Sequence, residues 1–108
     1  MKFEILTIPP FDKQFKKLCK KYTSLKSNLI ELSLSLIEKP NQGTSLGNNC
    51  FKIRLSISSK AKGKSGGARI ITHLYYSENK IYLLAIYDKS EISNITDKEI
   101  INLIDKIK

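Results

Sequence analysis

Apolar and polar residues alternate without a fault over residues 51–57. Phe51, Ile53, Leu55 and Ile57 fall on one side, with Lys52, Arg54 and Ser56 on the other. A period of two predicts a strand with one buried face. Earlier in the chain the period is helical. Phe11, Phe15, Leu18, Cys19 and Tyr22 recur at i, i+4, i+7, i+8 and i+11 after Pro9-Pro10, one face of an amphipathic helix. Leu25, Leu29, Leu32 and Leu36 form the stripe of a second helix, widened by Ile30, Leu34 and Ile37. Thr23 or Ser24 can cap it, and Pro40 and Gly43 stop it. Near the end, Thr96-Asp97-Lys98-Glu99 matches the capping box, and Ile100, Ile101, Leu103, Ile104 and Ile107 give a third helix its apolar face.

The other segments read as strands and connections. Residues 3–8 are a short β-rich run closed by the two prolines, and residues 41–50 are a Gly- and Asn-containing crossing. A basic, Gly-rich connection over residues 58–67 leads to a β-branched and aromatic strand over residues 68–76. Glu78-Asn79 marks a tight turn into residues 81–87, apolar on both faces and hence a central or well-covered strand. The predicted order is β-α-α-β-β-β-α. That is an α+β fold, with a helical hairpin packed on a small, mainly antiparallel four-stranded sheet and a C-terminal helix. At 108 residues the chain is expected to form a single domain over residues 1–108.

Charge changes this picture more than composition does. Nineteen Lys and Arg against ten Asp and Glu leave +9, and a small protein with that excess is expected to meet a polyanion. The distribution is sharper than the total. Between Glu38 and Glu78 there is no acidic residue, whereas Lys39, Lys52, Arg54, Lys60, Lys62, Lys64 and Arg69 all fall there. A merely solvated surface mixes its signs. This one concentrates positive field on one hairpin and the strand face beneath it.

Several chemistries drop out. The longest uninterrupted apolar run, residues 81–87, is far short of the ~20 residues that span a membrane. The acid at Glu4 and the prolines at 9 and 10 leave no signal-peptide core, and two lone cysteines, Cys19 and Cys50, fit a cytoplasmic protein. With one histidine and no CxxC pair, no metal and no cofactor are expected. Gly63-Lys64-Ser65 imitates the end of a phosphate loop, but Ser58 stands where the first glycine belongs and a strand follows in place of a helix.

What remains is a cluster of cations. Lys52 and Arg54 project from one strand face about 7 Å apart. If that strand pairs antiparallel with residues 68–76, Arg69 joins them. Guanidinium forks on a rigid sheet suit a phosphate and the charge that develops there. His73 alternates onto the nominal face of Arg69, making it a candidate proton donor. Lys60, Lys62 and Lys64 supply a basic loop able to close over a nucleic-acid backbone. Asp88 beside Lys89 reads as a simple ion pair in a turn.

The element order, the basic strand FKIRLSI, the Arg-bearing strand ARIITHLYY and the segment IYDKSE resemble the RelE/ParE superfamily of toxins from bacterial type II toxin–antitoxin modules, nearest its RelE/HigB-like branch. The resemblance runs over residues 3–107. It implies a small basic protein that enters the ribosomal A site and cuts mRNA, the 2′-hydroxyl attacking the adjoining phosphate while Lys and Arg support the transition state. By position it assigns that role to Lys52, Arg54 and Arg69, with Lys89 where such members often carry Arg. Lys60, Lys62, Lys64, His73 and Tyr87 are then the RNA-binding set. Such members often carry a Tyr or His after the last strand. Residues 90–108 contain neither, so Tyr87, Tyr75 or His73 are the substitutes. The implied partners are a cognate antitoxin, the ribosome and mRNA, with DNA reached only through the antitoxin and no membrane. Two other functions fit the same fold: a ParE-type inhibitor of DNA gyrase, and a noncatalytic RNA-binding domain.

Overall fold

The computed structural model describes residues 3–57, 67–89 and 95–107. Its elements are β1 (Glu4–Thr7), α1 (Pro9–Lys21), α2 (Leu25–Glu38), β2 (Thr44–Gly47), β3 (Cys50–Leu55), β4 (Ala68–Tyr75), β5 (Lys80–Asp88) and α3 (Asp97–Asp105). The fold is α+β, and the strands form one mixed sheet in the order β1-β5-β4-β3-β2. β1 runs parallel to β5, and every other pairing is antiparallel.

The sheet has five strands, one more than the pattern predicts. Thr44–Gly47 lies in the segment read as a crossing and pairs with β3 through Thr44↔Lys52, Ser45↔Phe51 and Gly47↔Cys50. Asn48 and Asn49 form the two-residue connection, both left-handed at φ 54° and 58°. Asn tolerates that region, and two such residues make the turn whose twist matches a hairpin. Gly43 shows why this strand must begin as it does. At φ +101° its absent Cβ would stand 2.6 Å from the Lys52 carbonyl oxygen, so only glycine permits so close an approach to β3.

The helices follow the sequence closely, with changes at their starts. Pro9 and Pro10 occupy the first turn of α1 instead of preceding it, where a missing N–H costs nothing. Ser24 is the N-cap of α2, but its hydroxyl donates to Asn28 Oδ1 at 2.9 Å and does not cap the backbone. The capping box of α3 is present as expected. Glu99 N–H donates to Thr96 Oγ1 at 3.2 Å, and Thr96 N–H returns to Glu99 Oε1 at 3.1 Å.

One sheet face packs on α1 and α2 through Phe11, Leu25, Leu36, Ile70, Leu74 and Ile86, all at most 1% exposed. Ile53 and Leu55 stand in register with buried Ile70 and Ala68, which puts them on this face, and at the edge of β3 they share a depression with Leu32 and Asn28 of α2 that Arg54 also lines. The opposite face carries α3, whose Leu103, Glu99 and Asn102 line a cavity with Ala85 and Tyr87 of β5. That double cover explains why β5 is apolar on both faces. Beyond its pairing with β1, the edge of β5 is taken over by α1, where Gln14 Oε1 accepts from Ile86 N–H at 3.3 Å.

Asp88 is a correction. In place of a turn ion pair with Lys89, it ends β5 at 1% exposure, accepting the Tyr22 hydroxyl at 2.5 Å with Lys21 Nζ at 3.9 Å. A buried carboxylate needs such donors. It ties the last turn of α1 to the end of β5 next to Tyr87. Tyr22→Phe is expected to lower stability by about 1–3 kcal/mol, read as an earlier urea midpoint at unchanged slope.

Candidate functional site

Three strands in fixed register build the site. Arg54 of β3 lies directly opposite Arg69 of β4, and Arg69 directly opposite Tyr87 of β5. Side chains opposed in this way leave their strands about 5 Å apart on one face. One step along that face, Lys52, Ile71 and Ala85 form the next row. Lys89 is exposed immediately past Tyr87 and Asp88, its N–H donating to the Gly67 carbonyl at 3.2 Å, so it stands at the same end of the sheet. Lys52, Arg54, Arg69, Tyr87 and Lys89 are thus gathered at one end of one face.

The members differ in burial, which sets their chemistry. Arg54 is exposed and Lys52 half-buried. Arg69 is only 4% exposed, and one of its guanidinium nitrogens donates to the Ala68 carbonyl at 3.2 Å. A charge held that deep acts through a lower effective dielectric and is fixed in place, so an anion reaching it meets a preorganised field. Tyr87 is 5% exposed, and its hydroxyl has no hydrogen-bond partner. Burial raises its pKa above the usual tyrosine value, with Arg69 pulling the other way. The phenol is therefore neutral near pH 7, a proton donor and not a base.

Other predicted residues lie elsewhere. His73 sits four residues along β4 from Arg69, about 13 Å at strand spacing. It pairs with Cys50 and Tyr82 in register, with its Nδ1 3.4 Å from the Cys50 sulfur. Burial lowers its pKa, and a hydrogen bond to the Asn48 backbone raises it in part. Burial also pushes the Cys50 thiol up to about 11, leaving it an inert neutral group. Tyr75 is two residues farther and packs edge-on against His73. Of the three proposed substitutes for a tail aromatic, Tyr87 alone shares the arginine row. Lys60, Lys62 and Lys64 lie outside the described residues. Among the described residues no three His, Cys, Asp or Glu side chains could share a metal, and no helix is long and apolar enough to cross a membrane.

Comparison with known proteins agrees with this architecture. A family model described as "RelE toxin of RelE / RelB toxin-antitoxin system" matches residues 11–106. The structure is similar to a mutant of the E. coli toxin RelE in the free state, at TM-score 0.66 and 14% identity over 100% of both chains. It is also similar to the isolated E. coli RelE toxin, at TM-score 0.62 and 13% identity over 98% of this chain and 99% of that one. A chain of the intact E. coli RelBE toxin–antitoxin complex matches at TM-score 0.59 and 14% identity, over 80% of this chain and 95% of that chain. The chain belongs to the RelE toxin family.

Two arginines placed directly opposite on neighbouring strands repel, which weakens the pairing they sit on. An anion between them reverses the sign. Arg54→Ala is therefore expected to unfold no earlier than the parent in low-salt buffer. Added inorganic phosphate should raise the melting temperature of the parent more than that of Arg54→Ala, measured by calorimetry at matched ionic strength.

Proposed function

We propose that this toxin is a ribosome-dependent mRNA endoribonuclease that arrests translation and is held in check by a cognate antitoxin. The observation that carries the reading is the Arg54–Arg69–Tyr87 row, flanked by Lys52 and Lys89. In strand scission by this route the 2′-hydroxyl gives its proton to water as its oxygen bonds to phosphorus, and the bond to the 5′-oxygen breaks. The products are a 2′,3′-cyclic phosphate and a 5′-hydroxyl. Charge builds on the nonbridging oxygens in the transition state, and a bidentate guanidinium is matched to two such oxygens. Arg69, fixed and buried, supplies the preorganised part. Arg54, exposed, meets the incoming chain. Lys52 and Lys89 add field without a fixed fork. Tyr87, neutral and buried beside Arg69, shapes the row, and the departing 5′-oxygen takes its proton from water. The ribosome contributes position, converting a bimolecular encounter into one with the reacting atoms already aligned.

The net charge of +9 fits a target made of RNA. The complex that E. coli RelE forms with its antitoxin supports an antitoxin partner here, and a basic face calls for an acidic or amphipathic one.

Primer extension on a reporter mRNA tests the proposal. New 5′ ends within translated codons are expected on induction, and Arg54→Ala should reduce them by roughly 10²–10³-fold at equal protein level. Arg54→Lys should recover only part of that loss, because it keeps the charge and not the fork. Intact mRNA together with DNA-damage signalling would reject cleavage in favour of a gyrase inhibitor.

A further inference from the structure

α2 is apolar on two faces. Leu25, Leu32 and Leu36 are buried. Ile30 and Leu34 lie on the other side of the helix, 55% and 63% exposed, with half-buried Ile37 one turn further on. These three fall at i, i+4 and i+7, so they form one contiguous stripe on the outer side of a 14-residue helix. Single exposed apolar side chains are ordinary, but a stripe at this spacing calls for a cover. Charge narrows what that cover is. The chain carries +9, and α1 alone holds five lysines against Asp12. α2 holds only Lys26 against Glu31 and Glu38, all three exposed. A face with more acid than base attracts neither RNA nor the acidic partner that the basic sheet face calls for.

We propose that a second copy of this chain covers the stripe, α2 packing on α2 in parallel about a twofold axis. The spacing sets Ser27 and Leu34 at heptad positions a, and Ile30 and Ile37 at positions d. Lys26 then falls at g, and Glu31 at e of the heptad that follows. In a parallel pair those two positions meet across the seam. Lys26 of one protomer lies beside the partner's Glu31, and the symmetry forms the ion pair twice. An antiparallel pair would instead line Glu31 and Glu38 of both copies along one flank, where like charges repel. In a free helix, Leu at a with Ile at d leans toward assemblies larger than two. Here Leu25, Leu32 and Leu36 commit the opposite arc to the core, leaving a seam for one neighbour. Two heptads span about 21 Å, so the contact is small and the dimer weak and concentration-dependent. α2 covers the sheet face opposite to the Arg54–Arg69–Tyr87 row, so pairing leaves that row open, and it does not depend on the endoribonuclease reading.

Sedimentation velocity of the full chain over a wide concentration range, at physiological ionic strength, tests the pairing. The average mass should climb from monomer toward dimer as concentration rises. Leu34→Lys changes a side chain outside the core, so it should keep the parent melting temperature while weakening the dimer by about tenfold or more. Lys26→Glu sets like charges at both ion pairs and should weaken the dimer about fivefold. Combining it with Glu31→Lys rebuilds both pairs with the signs exchanged, and should restore the affinity to within about twofold of the parent. A monomer at every concentration would overturn the proposal. A dimer indifferent to Leu34→Lys would overturn it by placing the contact on another face. Failure of the double variant to recover would reject the parallel seam. A monomeric parent whose antitoxin binding is lost in Leu34→Lys would also overturn it, assigning the stripe to the antitoxin.

Discussion

The register that sets Arg54 directly opposite Arg69 on neighbouring strands is the constraint on which the candidate site depends. Opposed like charges on adjacent strands are unfavourable, and the structure accepts them where the sheet is best supported. β4 is covered on both sides and β5 is buried throughout its second half. Because the side-chain period of a strand is two, a slip of one residue between β3 and β4 would turn the cations into the core. The apolar rows on either side make that slip prohibitive: Ile53, Ile70 and Ile86 lie in one row on the core face. Stability lost to this pairing is thus supplied by the core beside it, which fixes the register of the two arginines.

Around this pair the fold distributes different jobs to its ends. The Tyr22–Asp88 bond anchors α1 at the end of β5 that carries Tyr87 and Lys89. Gln14 closes the backbone of the same strand where β1 has stopped pairing. α3 crosses the opposite face and leaves a cavity over Tyr87 rather than a filled contact. At the far end half-buried His73 and buried Cys50 form a neutral pair beside the β2–β3 turn. Their lowered and raised pKa values share one cause, burial of groups that fold best uncharged. The two ends differ in electrostatic character: one gathers cations, and the other carries the neutral His73–Cys50 pair and a Lys80–Glu78 ion pair.

Much of this was legible along the chain, and the exceptions have physical reasons. The alternation through Phe51–Ile57 identified which face of β3 carries Lys52 and Arg54, because that face is polar and its opposite apolar. The capping box from Thr96 to Glu99 set the start of α3 by local hydrogen bonds alone. Thr44–Gly47 escaped notice because four residues with Thr, Ser and Gly carry little β pattern; the strand exists through its pairing with β3. The Asn48-Asn49 turn was the available signal. Tyr22 and Asp88 are 66 residues apart, and nothing local announces such a bond. The stripe of α3 said that one face would be buried, not that Tyr87 would lie beneath it. The acid-free stretch and the two-residue spacing of Lys52 and Arg54 supplied the idea of a phosphate site, while register showed that Arg54, Arg69 and Tyr87 share a row and that His73 lies apart from it.

The most direct measurement is a structure of the toxin on a ribosome whose A-site codon carries a 2′-O-methyl group, which blocks attack and preserves the chain. The account expects the phosphate following the methylated ribose to lie within hydrogen-bond distance of both the Arg54 and the Arg69 guanidinium. A bound toxin with that phosphate contacted by neither arginine, its mRNA instead running over another face, would contradict it.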